Sequence, residues 1–394
     1  MKKAAATSCS WLQINDFRGS LFLFYTLATI MIRIAEIIHS LEQWAPPALQ
    51  ESYDNSGLIC GNLHDACTAF LVCLDSTEAV VDEAIAKGCN LIIAHHPIVF
   101  GSFKKLTGKT YPERVLLKAI KHDIALYALH TNLDNIRTGV NHTIGQLLGI
   151  EKQHILRPSE NKLLQLTVYV PHAHADQVRE ALFASGAGAI GNYSECGFSL
   201  KGTGTFMPNE NANPFSGQKN VREYAEETRI EVILPRHKRA DVFKALSEAH
   251  PYEEVAHQFC AIENTLQDVG AGMHGMLEME METTAFLQKI KSVFGGMLRY
   301  TQPIKSHVKH IAWCGGSGSF LLDDALKAGV DVLLTSDFKY HQFFDADGKI
   351  MIVDIGHFEN EQFTIEAIYT YLTNKFPNFA GSQTGVCTNP VQYL

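Results

Sequence analysis

Two histidines stand side by side at the end of an apolar run, His95 and His96 in LIIAHHP. Imidazole is the commonest side-chain metal ligand, and Pro97 disfavours helical backbone at His96. Adjacent residues at a strand end point in different directions, which suits two neighbouring ions better than one. Taken alone, such a pair is more often a polar strand end with no ligand. Further on, GHFENE places His357 and Glu361 four residues apart at a helix start, so both side chains share a face. HTNLD supplies Asp134, again four residues after a histidine, His130. A carboxylate bridging two metals, with imidazoles as terminal ligands, is a recurrent hydrolytic arrangement with ions ~3.5–4 Å apart. Singly, Glu361 would be a charge at a helix N-terminus and Asp134 a turn former. Together, His95, His96, Asp134, His357 and Glu361 point to a dinuclear centre. Their N/O donors suit two divalent ions, zinc, iron, manganese, cobalt or nickel. The lack of a thiolate argues against a closed structural zinc site.

An internal repeat supplies the elements that must position these groups. Residues 69–97, AFLVCLDSTEAVVDEAIAKGCNLIIAHHP, read strand, turn, helix, strand. Residues 310–341, HIAWCGGSGSFLLDDALKAGVDVLLTSDFKYH, read in the same order. The second strands, LIIA and DVLLT, are apolar throughout, as in parallel sheets covered on both faces, and a glycine closes each helix. DIALYALHTNLD and KIMIVDIGHFENE then each deliver a histidine and, four residues later, a carboxylate. The fold class expected is α/β: two pseudo-symmetric halves, residues 31–159 and 266–394, forming one core domain. The candidate residues lie where polar groups converge in such folds, beyond the carboxyl ends of the strands. Between the halves, residues 160–265 alternate as β-α-β-β-α-β, the order of an inserted α+β ferredoxin-like domain.

Composition bounds the rest. At 394 residues the chain is longer than one core usually supports, and its 46% hydrophobic and 19% charged content is that of a globular protein. With a net charge of −9 and no Lys/Arg run longer than a pair, the chain lacks the electrostatic footprint of a dedicated nucleic-acid binder. Nine scattered cysteines without a C-x-x-C pair suit reduced thiols in a cytoplasmic protein. Residues 1–30 read as a poorly ordered extension, with Met31 as an alternative start. The apolar stretch from Leu21 to Ile32 lacks the flanks of a signal peptide and is short for a membrane span.

YDNSGLICG at 53–61, LIIAHHPIVF at 91–100, HTNLD at 130–134, TSDFKYH at 335–341 and GHFENE at 356–361 give the chain a wider likeness. It resembles the GTP cyclohydrolase 1 type 2 homologues, also called NIF-three-like dinuclear metal-centre proteins, over residues 31–394, insertion included. The resemblance implies that the five residues named above are the metal ligands and that the assembly is a ring-shaped homohexamer. It also implies hydrolytic opening of a purine nucleotide, with release of formate from GTP. A phosphoesterase or nuclease, or a metal-binding scaffold without turnover, remains an alternative, because architecture does not fix substrate.

His130, Asp337 and His341 lie at matching strand ends and are candidates for orienting the ligands or transferring protons, with simple hydrogen bonding as the alternative. Lys105, soon after the histidine pair, could meet a phosphate or simply be solvated. CGGSGS at 314–319 lacks the Lys-Ser/Thr of a P-loop and reads as a tight turn near the site. In the insertion, His250, Tyr252, Glu253, Glu254 and His257 form a polar cluster better suited to edge or oligomer contacts than to a metal.

Overall fold

The structure is a computed structural model that describes residues 31–394, so the expected extension over 1–30 lies outside the described residues. Its first part runs α1 (Ile34–Trp44), β1 (Gly57–Cys60), β2 (Phe70–Asp75), α2 (Glu78–Lys87), β3 (Leu91–His96), α3 (Tyr111–Lys121), β4 (Ala125–Ala128), α4 (Thr131–Asn135), α5 (Val140–Leu147) and β5 (His154–Ser159). The middle part is β6 (Leu163–Pro171), α6 (Ala175–Ala184), β7 (Gly197–Phe206), β8 (Glu223–Pro235), α7 (Arg239–Ala249) and β9 (His257–Ala261). The last is β10 (Leu266–Glu282), α8 (Thr283–Phe294), β11 (Arg299–Tyr300), β12 (His307–Ser317), α9 (Leu322–Lys327), β13 (Val332–Ser336), β14 (Met351–Asp354), α10 (His357–Glu361), α11 (Thr364–Lys375) and β15 (Gly381–Gln383).

Local chemistry explains the repeat unit. Thr77 caps α2 by accepting from the Val80 N–H, and Gly88 ends it at φ 68°, the left-handed conformation glycine adopts without a Cβ penalty. The apolar strand that follows emerges fully covered and delivers His95 and His96 at its carboxyl end.

The mixed α/β architecture is built on three sheets. The first has the order β1-β4-β3-β2-β15, with β2, β3, β4 and β15 parallel and β1 antiparallel. The second has the order β11-β14-β13-β12-β10-β5, with β12, β13 and β14 parallel and the others antiparallel. Thus β1-β4-β3-β2 and β11-β14-β13-β12 repeat one order and one set of directions. The halves are also interlaced, in a way their patterns did not reveal: β5 joins the second sheet, and β15 returns to the first beside β2.

Period-two alternation sorts the strand residues between cores. Phe70, Val72, Leu91 and Ile93 from the first sheet share the largest core with Ile311, Trp313, Val332 and Leu334 from the second. Their neighbours Leu71, Cys73, Ile92 and Ala94 pack with α2 and α3. Ala312, Cys314, Leu333 and Ile352 pack with α9. Strands β2, β3, β4, β13 and β14 are therefore buried on both faces, and only their ends are open for chemistry. The third sheet, β7-β8-β6-β9, is wholly antiparallel, with α6 and α7 sharing one core beside it.

Candidate metal centre

The carboxyl ends of the parallel strands of both sheets meet at one cluster. Asp75 ends β2, His95 and His96 end β3, and His130 follows β4. Gly316 lies near the end of β12, Asp337 follows β13, and His357 opens α10 after β14. His95 is fully buried and Glu361 is 2% exposed. His95, His96 and Glu361 place ligand atoms all within 4.8 Å of one another, a possible metal site.

Glu361 is the hub. Its Oε2 lies 2.9 Å from His96 Nε2 and 3.0 Å from His357 Nε2, while its Oε1 lies 3.7 Å from His95 Nε2. Asp134 Oδ1 is 3.6 Å from the same His95 nitrogen. His96 Nε2 and His357 Nε2 are 3.4 Å apart. Two donors sharing one tetrahedral ion, at bond lengths of ~2.0–2.2 Å, would sit ~3.4 Å apart. His95 Nε2 and Asp134 Oδ1 are buried without a hydrogen-bond partner, which a native interior rarely tolerates unless something else satisfies them. The donor set and these two orphaned atoms fit a metal.

The opposite ring nitrogens are all engaged. His95 Nδ1 lies 2.7 Å from the Leu129 carbonyl, His96 Nδ1 2.8 Å from Asp75, and His357 Nδ1 2.6 Å from Asp337. His130 Nδ1 lies 2.7 Å from Asp54. Each acceptor fixes a tautomer with the proton on Nδ1 and turns Nε2 to the centre, as the outer partners of metal-binding histidines do.

Residues 32–390 match the sequence model of the Duf34/NIF3 (NGG1p interacting factor 3) family. The chain belongs to the Duf34/NIF3 family. It is 41% identical to a GTP cyclohydrolase 1 type 2 homolog of Halalkalibacterium halodurans over 82% of this chain and 87% of that protein. It is 38% identical to the homolog of that name in Bacillus subtilis, over 91% and 98%. A crystal structure of a Bacillus cereus protein related to NIF3 superposes with a TM-score of 0.80 at 35% identity, covering 92% of this chain and all of that one.

Within this Duf34/NIF3 chain, charge is distributed unevenly. Burial works against the ionised Glu361, but hydrogen bonds from His357 and His96 and the charge of His357 overcome it and hold the carboxyl well below its usual range. Burial, then the charge of Glu361, push Asp134 up to about 8. Burial disfavours the charged form of His96 and His357, yet their carboxylate partners raise them to about 9 and about 11.

Of the residues singled out from sequence, His130 joins the cavity and Asp337 orients His357. Asp337 has φ 61°, an uncommon backbone for a residue with a Cβ, as functional positions often show. His341 is not brought to the cluster: it is exposed and packs edge-on against Tyr340. Lys105 is exposed and does not line the cavity. In CGGSGS, the Gly315 and Gly316 amides donate to Asn141 and Asn360, so neither is free for an anion. Gly316 has φ 61°, and a Cβ there would lie 2.5 Å from Glu361 Oε1. The glycine makes room for the carboxylate. In the insertion, His250 spends both ring nitrogens on backbone groups of Tyr169 and Tyr252.

Asp54 and Asp75 were missed as site residues. Burial opposes their charge, but hydrogen bonds, chiefly from His130 and Thr131 to Asp54 and from His96 to Asp75, keep both carboxyls below their usual range. The available signal was position: Asp75 terminates FLVCLD as His95 and His96 terminate LIIAHH. Asp54 lies in YDNSG, a segment with no regular periodicity, and only tertiary contact gives it a role.

Proposed function

We propose that this chain is a dinuclear metal-dependent hydrolase of purine nucleotides, the substrate class suggested by the name its relatives carry. The observation that carries this reading is the division of Glu361. One oxygen faces His95 beside Asp134, and the other faces His96 and His357. His95, Asp134 and Glu361 Oε1 would hold one ion; His96, His357 and Glu361 Oε2 would hold the other. Two such ions, when bound, lower the pKa of water towards neutrality and polarise the group under attack.

The chain's own residues supply the rest. Asp54 keeps the His130 proton on Nδ1, which leaves Nε2 to take a proton from water or pass one to a departing nitrogen. Thr131 donates to Asp54 through both its N–H and its hydroxyl, fixing that carboxylate. The cavity over the centre, about 630 Å³, is large enough for a nucleoside and is walled by aromatic rings. The ring-shaped homohexamer and the cytoplasmic setting belong to the same reading; the free thiols of the described residues suit a reducing compartment.

The test is formate release from GTP by metal-loaded protein, alongside His95→Ala. Turnover that disappears in the variant supports the proposal. Turnover confined to phosphoesters would move the function to phosphoester cleavage, and a loaded protein inert to both would contradict hydrolysis.

A further inference from the structure

The cavity above the centre is rich in aromatic rings and poor in cations. Tyr53, Phe100, Tyr111 and Phe320 all line it, and each is more than half exposed. Large rings gathered around one cavity are a recognition surface rather than scattered exposure. Two of them are held in place. The Arg157 guanidinium lies 5.2 Å over the Phe320 ring and donates to the Phe320 carbonyl at 2.7 Å. Phe100 stands edge-on to His130, with ring centroids 5.7 Å apart. One wall is therefore a fixed platform, and the other touches the proposed proton carrier.

Among the described residues lining this cavity, none is a lysine or arginine. The nearby guanidinium groups already have partners: Arg157 pairs with Asp324, and Arg299, in a neighbouring cavity, pairs with Asp354. Carboxylates are abundant. Asp134 and Glu361 face the centre, Asp54, Asp75 and Asp337 hold its histidines, and Glu51 lies on the wall. Two divalent ions bring four positive charges against these six carboxylates, so the loaded site remains net anionic. A polyphosphate entering it would meet repulsion with no arginine or lysine to pair with. A flat, uncharged ring would meet aromatic walls, and its ring nitrogens and oxygens would reach the centre.

We infer that the site selects its substrate by the heteroaromatic ring and not by phosphate, taking the uncharged base or nucleoside in preference to the nucleoside triphosphate. This inference rests on the dinuclear reading above and keeps its heteroaromatic ring, but moves the preferred substrate from the nucleotide to the base or nucleoside. Phe320 and Tyr111 are specificity-determining residues on this account, acting by stacking on the ring. Lys104 and Lys105, exposed on the segment between β3 and α3, contribute nothing to recognition.

The experiment is direct binding of guanosine, GMP and GTP to the full chain loaded with manganese, at low and high NaCl, with metal content measured after each titration. Guanosine is expected to bind most tightly and GTP least. Added salt should narrow that gap by screening repulsion. Phe320→Ala and Tyr111→Ala should each weaken guanosine roughly tenfold with metal content unchanged, and the Lys104→Ala/Lys105→Ala double variant should keep the order of the three. Tighter binding of GTP than guanosine, weakened by salt, would overturn the inference while leaving the metal centre intact. A loss of GTP binding alone in the double-lysine variant would do the same, as would a loaded protein that binds none of the three. A wild type that takes up no metal would overturn both readings, and elemental analysis tells that case apart.

Discussion

Replacing Asp134 by Asn should stabilise the metal-free protein and destabilise the metal-loaded one. In the unfolded chain this carboxyl titrates at ~3.9, whereas in the fold burial and the charge of Glu361 push it up to about 8. Between those values the folded state binds a proton that the unfolded state does not, so stability falls by ~1.4 kcal/mol per pH unit as pH rises. By neutral pH the accumulated cost approaches ~4 kcal/mol. The side chain keeps 18% exposure, and solvent relieves part of that cost. Asn has the same shape and no proton to take up, so a gain of about 2 kcal/mol, a few degrees in Tm, is expected near neutral pH. With metal present the order reverses, because the wild type gains binding free energy, ~2.7 kcal/mol at a hundredfold excess over Kd, that the variant forfeits in part. Urea titrations of chelator-treated and loaded proteins, at about pH 5 and at neutral pH, measure all four terms. A metal-free Asp134→Asn protein less stable than wild type at neutral pH, or an advantage that does not shrink towards pH 5, would refute the electrostatic reasoning.

Other outcomes follow from the same geometry. Asp75→Asn replaces the charged acceptor that orients His96 with a neutral amide, whose NH2 also takes the place of the oxygen that accepts from Thr388, and should weaken metal binding roughly 10–100-fold without abolishing it, read by competition with a chromogenic chelator. Gly316→Ala forces a Cβ into a φ of 61° and to within 2.5 Å of Glu361 Oε1; a loss of ~1–3 kcal/mol in stability together with reduced metal content is expected from denaturation and elemental analysis. His130→Ala should keep the metal content of wild type while turnover falls ~10²–10⁴-fold; metal loss in that variant would show that His130 is a ligand.

Much of the site was legible because it is carried by short, strongly patterned segments. LIIAHH announces a buried strand with two donors at its open end, GHFENE fixes a histidine and a carboxylate on one short helix, and HTNLD sets a histidine just before a short helix that carries the carboxylate. The β-α-β repeat was legible for the same reason: apolar runs and helix-closing glycines are local signals. The pairings were not. Asp54 meets His130 across 76 positions and Glu361 meets His96 across 265, distances over which no periodicity speaks. His341 looked equivalent to its neighbours by sequence, but the 3-10 turn at Tyr340–Ala346 leaves it exposed. The return of β15 to the first sheet was equally silent, since a three-residue strand is defined only by the edge it joins. It matters to the site: the segment after β15 brings the Thr388 hydroxyl to Asp75, 2.5 Å away, and so braces the partner of His96.

Metal stoichiometry across a small set of variants tests the central claim most directly. If Glu361 bridges two positions, wild type should carry two divalent ions per chain by elemental analysis, consistent with a two-metal site. His95→Ala and His357→Ala should each lose chiefly one ion, and Glu361→Ala should lose both. A wild type that binds a single ion or none, or a Glu361→Ala protein that keeps a full complement, would contradict the account.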